Sequence, residues 1–236
     1  MEQIVTLAKW IREAKKVVVL TGAGMSTESG LPDFRSKGGW WRGIDPMTVA
    51  TIDAFYDDYE LFHEFYSARL DALKQFTYHE GHRVLSHLQQ QGLIDCIATQ
   101  NVDNFHTDAG SIDVYELHGN LRAIRCHQCH KSYTVDAFLK KDACSCGGKL
   151  RPGVVLFGEF LPEDAWQGAF NAISKADVVI VIGTSLQVSP VNQLPSLTKG
   201  KRVYINMDTT TTSGFDLVIE GSAKNILLQL EKELSA

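Results

Sequence analysis

Short runs of valine and isoleucine recur along the chain, and segments of helical periodicity lie between them. Such runs are typical of strands buried on both faces, and their alternation with helices predicts a parallel sheet covered on both sides. We therefore expect an α/β protein of Rossmann type, which binds ligands beyond the carboxyl ends of its strands. The predicted strands are Val17–Thr21, Leu93–Thr99, Val114–Leu117, Gly153–Phe157, Asp177–Ile182, Arg202–Met207 and Phe215–Ile219.

Helices are predicted between several of these strands. The N-terminal segment has apolar residues at helical spacing, which are Ile4, Leu7, Ala8 and Ile11. Ser222 is a suitable N-cap for the last helix, and Pro162 suits a first helical turn. The further predicted helices are Gly81–Gln91, Pro162–Lys175, Pro190–Thr198 and Ser222–Leu234.

Two segments do not follow the alternation. Residues 36–75 are rich in aromatic residues and mostly helical in pattern, and residues 123–150 contain four of the five cysteines. We expect both to be insertions that together form a small lobe. The Rossmann-like domain would then comprise residues 1–35, 76–122 and 151–236. One helical stripe in the first insertion consists of Phe62, Tyr66, Arg69 and Leu73.

Composition narrows the class of protein. The chain has 236 residues and a net charge of −5, which argues against a general nucleic-acid binder, because such domains are normally basic. The longest apolar run, Val178–Ile182, is far below the roughly 18 residues of a membrane span. The N-terminus lacks the plan of a signal peptide. We expect a cytoplasmic protein with no membrane partner.

The cysteine spacing predicts a metal site. Cys126 and Cys129 form one close pair and Cys144 and Cys146 a second, which is the arrangement that tetrahedral zinc requires. Four thiolates leave no open position, so the zinc would be structural. His127 and His130 flank the first pair and are alternative ligands. The fifth cysteine, Cys96, is predicted to be a buried apolar residue.

A glycine-rich turn follows the first predicted strand. Gly22 and Gly24 would let backbone N–H groups approach a diphosphate, helped by the N-terminus of a following helix. Thr27 stands where the ordinary dinucleotide fingerprint has its third glycine, so the match is partial. A tight turn without a ligand is the alternative.

Several motifs in fixed order identify a family resemblance. The chain contains TGAGMSTESGLPDFR, TQNVDNFH, ELHGN, two cysteine pairs, RPGVVLFGE and GTSLQVSP. This series resembles the sirtuins, the NAD-dependent protein-lysine deacylases, over nearly the whole chain. The resemblance implies that NAD lies in a cleft between the large domain and the small lobe.

The resemblance also implies roles for residues along that cleft. Ala23 and its neighbouring glycines would hold the diphosphate, and Asp33, Phe34 and Arg35 would cover the nicotinamide ribose. The nicotinamide side would further involve Gln100, Asn101, Val102 and Asp103. The adenosine half would contact Gly183, Thr184, Ser185 and Asn206.

His118 is the residue that the resemblance assigns to catalysis, as the general base that takes a proton from a ribose hydroxyl. The products would be nicotinamide, O-acyl-ADP-ribose and free lysine. His106 would belong to a supporting hydrogen-bond network. Two alternatives remain, a mono-ADP-ribosyltransferase that acts on proteins and a non-catalytic module that senses NAD or binds through its zinc ribbon.

For the substrate, the resemblance implies an acyl-lysine peptide bound as an extended strand between residues 154–159 and 186–189. The expected contact residues in these segments are Val155, Phe157, Gly158, Glu159, Leu186 and Val188. Tyr66 and Arg69 resemble the Tyr-x-x-Arg pair of the sirtuin subgroup that removes succinyl and malonyl groups. The alternative is an amphipathic helix with Tyr66 half in the core and Arg69 in solvent. Asp33 differs from that subgroup, which commonly has threonine there.

Overall fold

The computed structural model describes residues 2–32, 44–209 and 213–236. Its centre is a sheet of six parallel strands in the order β3-β2-β1-β7-β8-β9, numbered along the chain. These strands are β1 Val17–Thr21, β2 Cys96–Thr99, β3 Val114–Glu116, β7 Val178–Ile182, β8 Lys201–Asn206 and β9 Leu217–Glu220. The predicted Rossmann-type sheet is confirmed.

The strand order creates a crevice between β1 and β7. These two strands are neighbours, with Val19 opposite Ile180, and every residue in both is buried. Connections on one side of this pair lead to β2 and β3, and on the other side to β8 and β9. In an open α/β sheet, ligands bind at such a reversal, outside the carboxyl ends of the strands.

Helices cover both faces of the sheet. One face packs against α1, α5 and α9, and the other against α8 and a 3-10 helix at Val191–Leu197. The predicted apolar stripe of α1 is buried, and the Ser222 side chain accepts a hydrogen bond from the backbone N–H of Asn225, as an N-cap does. The helix bounds are α1 Glu2–Glu13, α5 Glu80–Gln90, α8 Glu163–Ser174 and α9 Ala223–Leu234.

The smaller part of the molecule combines helices with an antiparallel sheet. The helices are α2 Pro46–Val49, α3 Ile52–Asp57, α4 Tyr59–Leu73, α6 Phe105–Asp108 and α7 Val135–Leu139. The strands, in the order β5-β4-β6, are β4 Gly119–Cys126, β5 Ser132–Tyr133 and β6 Leu150–Val154. One apolar cluster joins α3 and α4 to the cysteine segment, through Phe55, Phe62, Phe138 and Leu150. The helical insertion and the cysteine module therefore share a core.

Two predicted elements are wrong in kind. The segment Gly153–Phe157 does not join the parallel sheet, because its first two residues are the end of β6 in the small antiparallel sheet. β6 is an edge strand, where Pro152 is tolerated because its missing N–H breaks no hydrogen bond between strands. The segment Pro190–Thr198 is a 3-10 helix rather than an α-helix. Pro195 lies inside it, has no N–H to donate, and disfavours the α-helical hydrogen-bond pattern.

In the part of the chain that the structure describes, no helix combines the length and the apolar character that crossing a membrane requires.

Candidate active site

Five loops leave the carboxyl ends of adjacent parallel strands and face one crevice. They begin at Gly22, Gln100, Leu117, Gly183 and Met207, after β1, β2, β3, β7 and β8. The sequence-predicted residues on these loops are therefore brought to one edge of the sheet. The predicted group Asp33, Phe34 and Arg35 lies outside the described residues.

The glycine-rich turn packs directly against the loop that follows β7. The Gly22 N–H donates to the Ile182 carbonyl at 3.1 Å, and the Gly24 N–H donates to the Gly183 carbonyl at 2.8 Å. A Cβ on Gly24 would lie 2.8 Å from the Gly183 Cα, too close for any side chain. The glycines thus serve this contact between loops, and Ala23 is left to line the cleft.

The prediction of a helix directly after this turn is wrong for residues 22–32. Residues Ala23–Met25 and Thr27–Ser29 form two short 3-10 turns. The exposed Thr27 hydroxyl donates to the Gly24 carbonyl at 3.1 Å, which closes the turn locally.

A buried polar network fixes the residues after β2. The Ser26 hydroxyl donates to Asp103 Oδ2 at 2.7 Å and accepts from Asn101 Nδ2 at 3.1 Å. The Phe105 N–H donates to the other Asp103 oxygen at 2.9 Å. Burial raises the pKa of Asp103, and the Phe105 and Ser26 hydrogen bonds oppose that rise. Val102, between these polar residues, lines the same cleft as Ala23.

His118 follows β3, and one nitrogen of its ring is held in a hydrogen bond. Its Nδ1 is 3.2 Å from the Gln100 carbonyl oxygen. Because a carbonyl only accepts, Nδ1 carries the hydrogen, and Nε2 of the neutral ring is left as an acceptor. Burial lowers the pKa of His118, although the hydrogen bond to Gln100 partly offsets this, so the ring is neutral near pH 7.

The predicted adenosine side is joined by hydrogen bonds across three strands. The Thr184 hydroxyl accepts from Gln100 Nε2 at 2.9 Å, and the Thr184 carbonyl accepts from the Tyr204 hydroxyl at 2.8 Å. Asn206 Nδ2 donates to the Tyr204 hydroxyl at 2.7 Å. Ser185 is exposed at this edge. Tyr204 was not among the predicted site residues, because its position in the run RVYIN indicates only a strand.

Three histidines lie behind the glycine-rich turn, of which only His106 is a predicted site residue. The rings of His79 and His82 are 4.4 Å apart, and those of His82 and His106 are 4.9 Å apart. His79 Nε2 contacts the Met25 carbonyl at 2.6 Å, and His106 Nε2 contacts the Thr21 hydroxyl at 3.0 Å. Burial lowers the pKa of all three, that of His106 to about 3. The network role predicted for His106 agrees with these contacts.

The segment after β6 is anchored at several points. The Val155 N–H donates to the His118 carbonyl at 2.9 Å, and the Phe157 N–H donates to the Ala50 carbonyl at 2.8 Å. The fully buried Arg151 holds the Glu159 carboxylate through both oxygens, at 2.6 and 2.9 Å. The Glu159 carboxylate, which also accepts from the Leu156 N–H at 2.8 Å, therefore positions the loop. Arg151 was not among the predicted site residues.

The second predicted peptide segment follows Ser185. Leu186 has a left-handed backbone, with φ of 53°, and its N–H donates to the Thr184 hydroxyl at 3.2 Å. Leu186 and Val188 are half-buried. Both side chains therefore retain apolar surface near the cleft edge.

Tyr66 and Arg69 lie on the buried face of α4. Tyr66 is 2 % exposed and Arg69 is 6 % exposed, so the alternative of a solvated Arg69 is wrong. The Arg69 guanidinium carbon is 5.6 Å from the centre of the Tyr66 ring. Arg69 also lines the cleft together with Asn101 and Asp103, so the helix directs a cation to the predicted nicotinamide side.

The four cysteines of the small sheet form a metal-binding cluster. Their sulfur atoms all lie within 4.8 Å of one another, and the Cys126–Cys146 and Cys129–Cys144 distances are both 3.5 Å. Zinc–sulfur bonds of about 2.3 Å require tetrahedral edges of roughly this length. The cluster can therefore hold one zinc ion. Gly148 packs against it so closely that a Cβ at this position would lie only 2.6 Å from the Cys126 sulfur.

The flanking histidines are used elsewhere. His127 Nε2 contacts the Tyr56 hydroxyl at 2.6 Å, and His130 Nδ1 contacts the Arg125 guanidinium at 2.9 Å. Among the described residues, the metal-binding group consists of the four cysteines alone. The alternative of a histidine ligand is therefore not supported by the geometry.

Comparisons with known proteins agree with this architecture. NAD-dependent protein deacetylase 1 of Geobacillus kaustophilus is 47 % identical over 98 % of this chain and 98 % of its own length. A Sir2 homologue solved in complex with NAD has a TM-score of 0.91 and 39 % identity, over 98 % of this chain and 93 % of that one. A Sir2 variant solved with a deacetylated p53 peptide and 3′-O-acetyl-ADP-ribose has a TM-score of 0.90 and 35 % identity, over 97 % of both chains. Residues 22–190 match the Sir2 family model, and the chain belongs to the Sir2 family.

Proposed function

We propose that this protein removes acyl groups from lysine side chains of proteins and consumes NAD in doing so. The observation that carries the proposal is the placement of His118 at the carboxyl end of β3, where the Gln100 carbonyl holds Nδ1 and leaves Nε2 as the acceptor of the ring. The Geobacillus relative, named as an NAD-dependent protein deacetylase, supports the same activity.

NAD would be held along the carboxyl ends of the parallel strands. Ala23 would lie against its diphosphate, Asn101 and Asp103 would bind the nicotinamide end, and Thr184 and Asn206 would bind the adenosine end. The hydrogen bonds of Ser26 and Tyr204 hold Asp103 and Thr184 in place. When bound, NAD supplies a glycosidic bond whose cleavage releases nicotinamide and exposes a sugar carbon to attack by the acyl oxygen.

His118 would act as the general base in this reaction. Its Nε2 is free to take a proton from a ribose hydroxyl, which makes that hydroxyl a better nucleophile. The lowered pKa keeps Nε2 unprotonated at neutral pH, and the hydrogen bond to Gln100 fixes the ring orientation. Positioned bases of this kind contribute roughly 10²- to 10⁴-fold to a rate.

The peptide would lie between residues 154–159 and 186–189 as an additional strand. Backbone hydrogen bonds bind extended peptides with little regard to sequence. The Val155 carbonyl would accept from the N–H of the acylated lysine, which places the acyl group beside His118, because Val155 is bonded to that residue's carbonyl.

The experiment is an incubation of the protein with NAD and an acetyl-lysine peptide, followed by mass spectrometry. We expect one nicotinamide and one O-acetyl-ADP-ribose for each lysine freed. ADP-ribose attached to the peptide or protein would instead identify the mono-ADP-ribosyltransferase alternative. NAD binding without any product would identify a sensing module.

We further propose that the acyl groups include succinyl and malonyl. Arg69 lines the cleft from α4, with the buried Tyr66 ring beside it, and its guanidinium could give a terminal carboxylate forked hydrogen bonds. Arg69→Met should lower kcat/KM far more for succinyl-lysine than for acetyl-lysine, because only succinyl-lysine would lose a charged partner. Equal losses, or no desuccinylation by the unaltered protein, would remove the pair from acyl recognition.

The domain division expected from the sequence is part of this proposal. Residues 36–75 and 123–150 would together form the small lobe, which is supported by the cluster that Phe62 and Phe138 share. NAD and the acyl-lysine peptide would then bind at the junction of this lobe and the parallel sheet.

A further inference from the structure

His118 lies in the middle of a short connection that a side-chain hydrogen bond closes. The connection runs from Glu116, the last residue of β3, to Asn120, the second residue of β4. Asn120 Nδ2 donates to Glu116 Oε1 at 2.9 Å, so the bond spans the five residues that have His118 at their centre. Gly119, within this turn, has φ of 73°, a left-handed backbone that other residues rarely adopt. The bond between Asn120 and Glu116 therefore holds the tight turn that presents His118.

The Asn120 amide also binds the segment that carries Asp103. Its Nδ2 donates a second hydrogen bond to Asn104 Oδ1 at 2.8 Å, and Asn104 directly follows Asp103. Its Oδ1 accepts from the Arg122 N–H at 2.9 Å. A side-chain amide has two N–H donors and one carbonyl acceptor, and Asn120 uses both donors and the acceptor. One side chain thus links β3, β4 and the loop after β2.

The partners of Asn120 on the loop side are themselves fixed. Asn104 Nδ2 donates to Asp108 Oδ1 at 2.8 Å, and the other Asp108 oxygen accepts from Arg122 Nη1 at 2.7 Å. The Leu121 N–H donates to the Val102 carbonyl at 2.9 Å, so the backbone beside Asn120 is bonded to the same loop. These contacts hold Asn120 in one orientation.

The orientation of the His118 ring depends on the relative position of these segments. His118 Nδ1 contacts the Gln100 carbonyl at 3.2 Å, near the upper limit for an N–H···O hydrogen bond. The acceptor belongs to the loop after β2 and the ring to the turn before β4, so a shift between the two segments breaks this bond. The ring is then free to rotate, or to take the other tautomer, in which Nε2 carries the hydrogen and cannot accept a proton.

We propose that Asn120 is a positioning residue for His118. This inference rests on the proposed function, because it assigns Asn120 to the step in which His118 Nε2 takes a proton from a ribose hydroxyl. Asn120 acts through the turn and the loop after β2, which it holds at the spacing that keeps the hydrogen on Nδ1. A displacement of about 1 Å at a reacting group can cost roughly 10²-fold in rate.

The experiment removes the two donors of Asn120 without changing the shape of the side chain. Asn120→Asp keeps the oxygen that accepts from Arg122 and places a second oxygen opposite the Glu116 carboxylate. With NAD and an acetyl-lysine peptide, we expect kcat to fall about 10- to 100-fold while the KM for NAD changes little. ¹⁵N NMR of the imidazole rings, with the His118 signals assigned by their loss in His118→Ala, should show mixed tautomers in place of the Nδ1–H form.

The double variant Asn120→Asp, Glu116→Gln tests rescue, because the amide introduced at position 116 can donate to the carboxylate introduced at position 120. It should regain most of kcat and the single tautomer. Glu116→Ala removes the acceptor without burying a new charge and should repeat the loss. Asn171→Asp is the matched control, since it makes the same change on the exposed surface of α8, and it should retain both kcat and the tautomer.

An unchanged His118 tautomer in Asn120→Asp, or an unchanged kcat, would overturn the inference. A double variant as slow as Asn120→Asp would also overturn it. If Asn120→Asp does not fold, Glu116→Ala decides by the same two measurements. Absence of nicotinamide release by the unaltered protein would contradict the proposed function, and the tautomer of His118 would still decide the role of Asn120.

Discussion

The loops of the crevice and the cysteine module are held together in different ways. β1 and β7 are buried at every residue, and backbone hydrogen bonds join the loops that follow them. Buried side-chain hydrogen bonds join the loop after β1 to the loop after β2. The cysteine module has the two-residue strand β5 and the short helix α7, which buries only Phe138. The parallel sheet buries many apolar side chains, so the loss of one contact leaves it folded. The cysteine module is built around four thiolates, so its folding depends on the bound metal.

The largest expected effect comes from removing that metal. Cys126→Ser, or a strong chelator, should unfold the small lobe, because structural zinc contributes roughly 10–16 kcal/mol of apparent binding free energy to such modules. Peptide turnover should fall below detection. The helices that cover the parallel sheet should retain most of their circular dichroism signal. Metal analysis should give one zinc per chain for the unaltered protein.

Cys96→Ser is the control, because Cys96 is buried in β2 and outside the cluster. It should retain zinc and turnover. An active, folded protein that contains no zinc would contradict the metal-dependent view of the module.

A change at His118 should affect the crevice without disturbing its frame. His118→Ala should lower turnover by ~10²–10⁴, the usual contribution of a positioned base, and should leave NAD binding nearly unchanged. The melting temperature should change little, because the ring makes one hydrogen bond and is only partly buried. His130→Ala, in the exposed part of the cysteine module, should retain turnover. Deacylation by His118→Ala at the unaltered rate would refute the assignment.

The contact between the two glycine loops gives a smaller effect. Gly24→Ala places a methyl group 2.8 Å from the Gly183 backbone, and such overpacking costs about 1–3 kcal/mol. We expect the KM for NAD to rise about tenfold or more as the loops separate. Gly92→Ala is the control, since its φ of 72° also strains an alanine but nothing lies within 4 Å. If both variants leave the KM unchanged, the loop contact does not shape the NAD site.

The same contrast explains how far the sequence predicts the structure. The run Val178–Ile182 predicts a buried parallel strand because each residue is apolar, and β7 confirms it. β4 was missed because Arg122 and Arg125 interrupt its apolar residues, as a strand of a small half-exposed sheet permits. Local pattern therefore predicts the large sheet better than the small one.

The site residues, too, could be predicted only where a local pattern in the sequence indicates them. The cysteine cluster was predictable because close spacing in sequence already brings each pair together. The bond between Ser26 and Asp103 joins residues 77 positions apart, and the ion pair of Arg151 and Glu159 forms only after the loop folds back. No spacing rule signals such contacts. His82 was likewise missed, since its role depends on rings from α5 and α6 meeting beneath the glycine turn.

The smallest effect concerns the pH dependence of stability on the crevice side. Burial lowers the pKa of His106 to about 3 in the folded protein, from about 6.5 when unfolded. Between these values the unfolded chain binds a proton that the folded chain does not, so the free energy of unfolding decreases as pH falls. The full slope for one histidine is about 1.4 kcal/mol per pH unit, and between pH 6 and 5 we expect about 1 kcal/mol. His106→Asn should reduce the slope of urea-unfolding free energy by that amount. An identical slope in the unaltered protein and His106→Asn would show that His106 does not couple proton binding to folding.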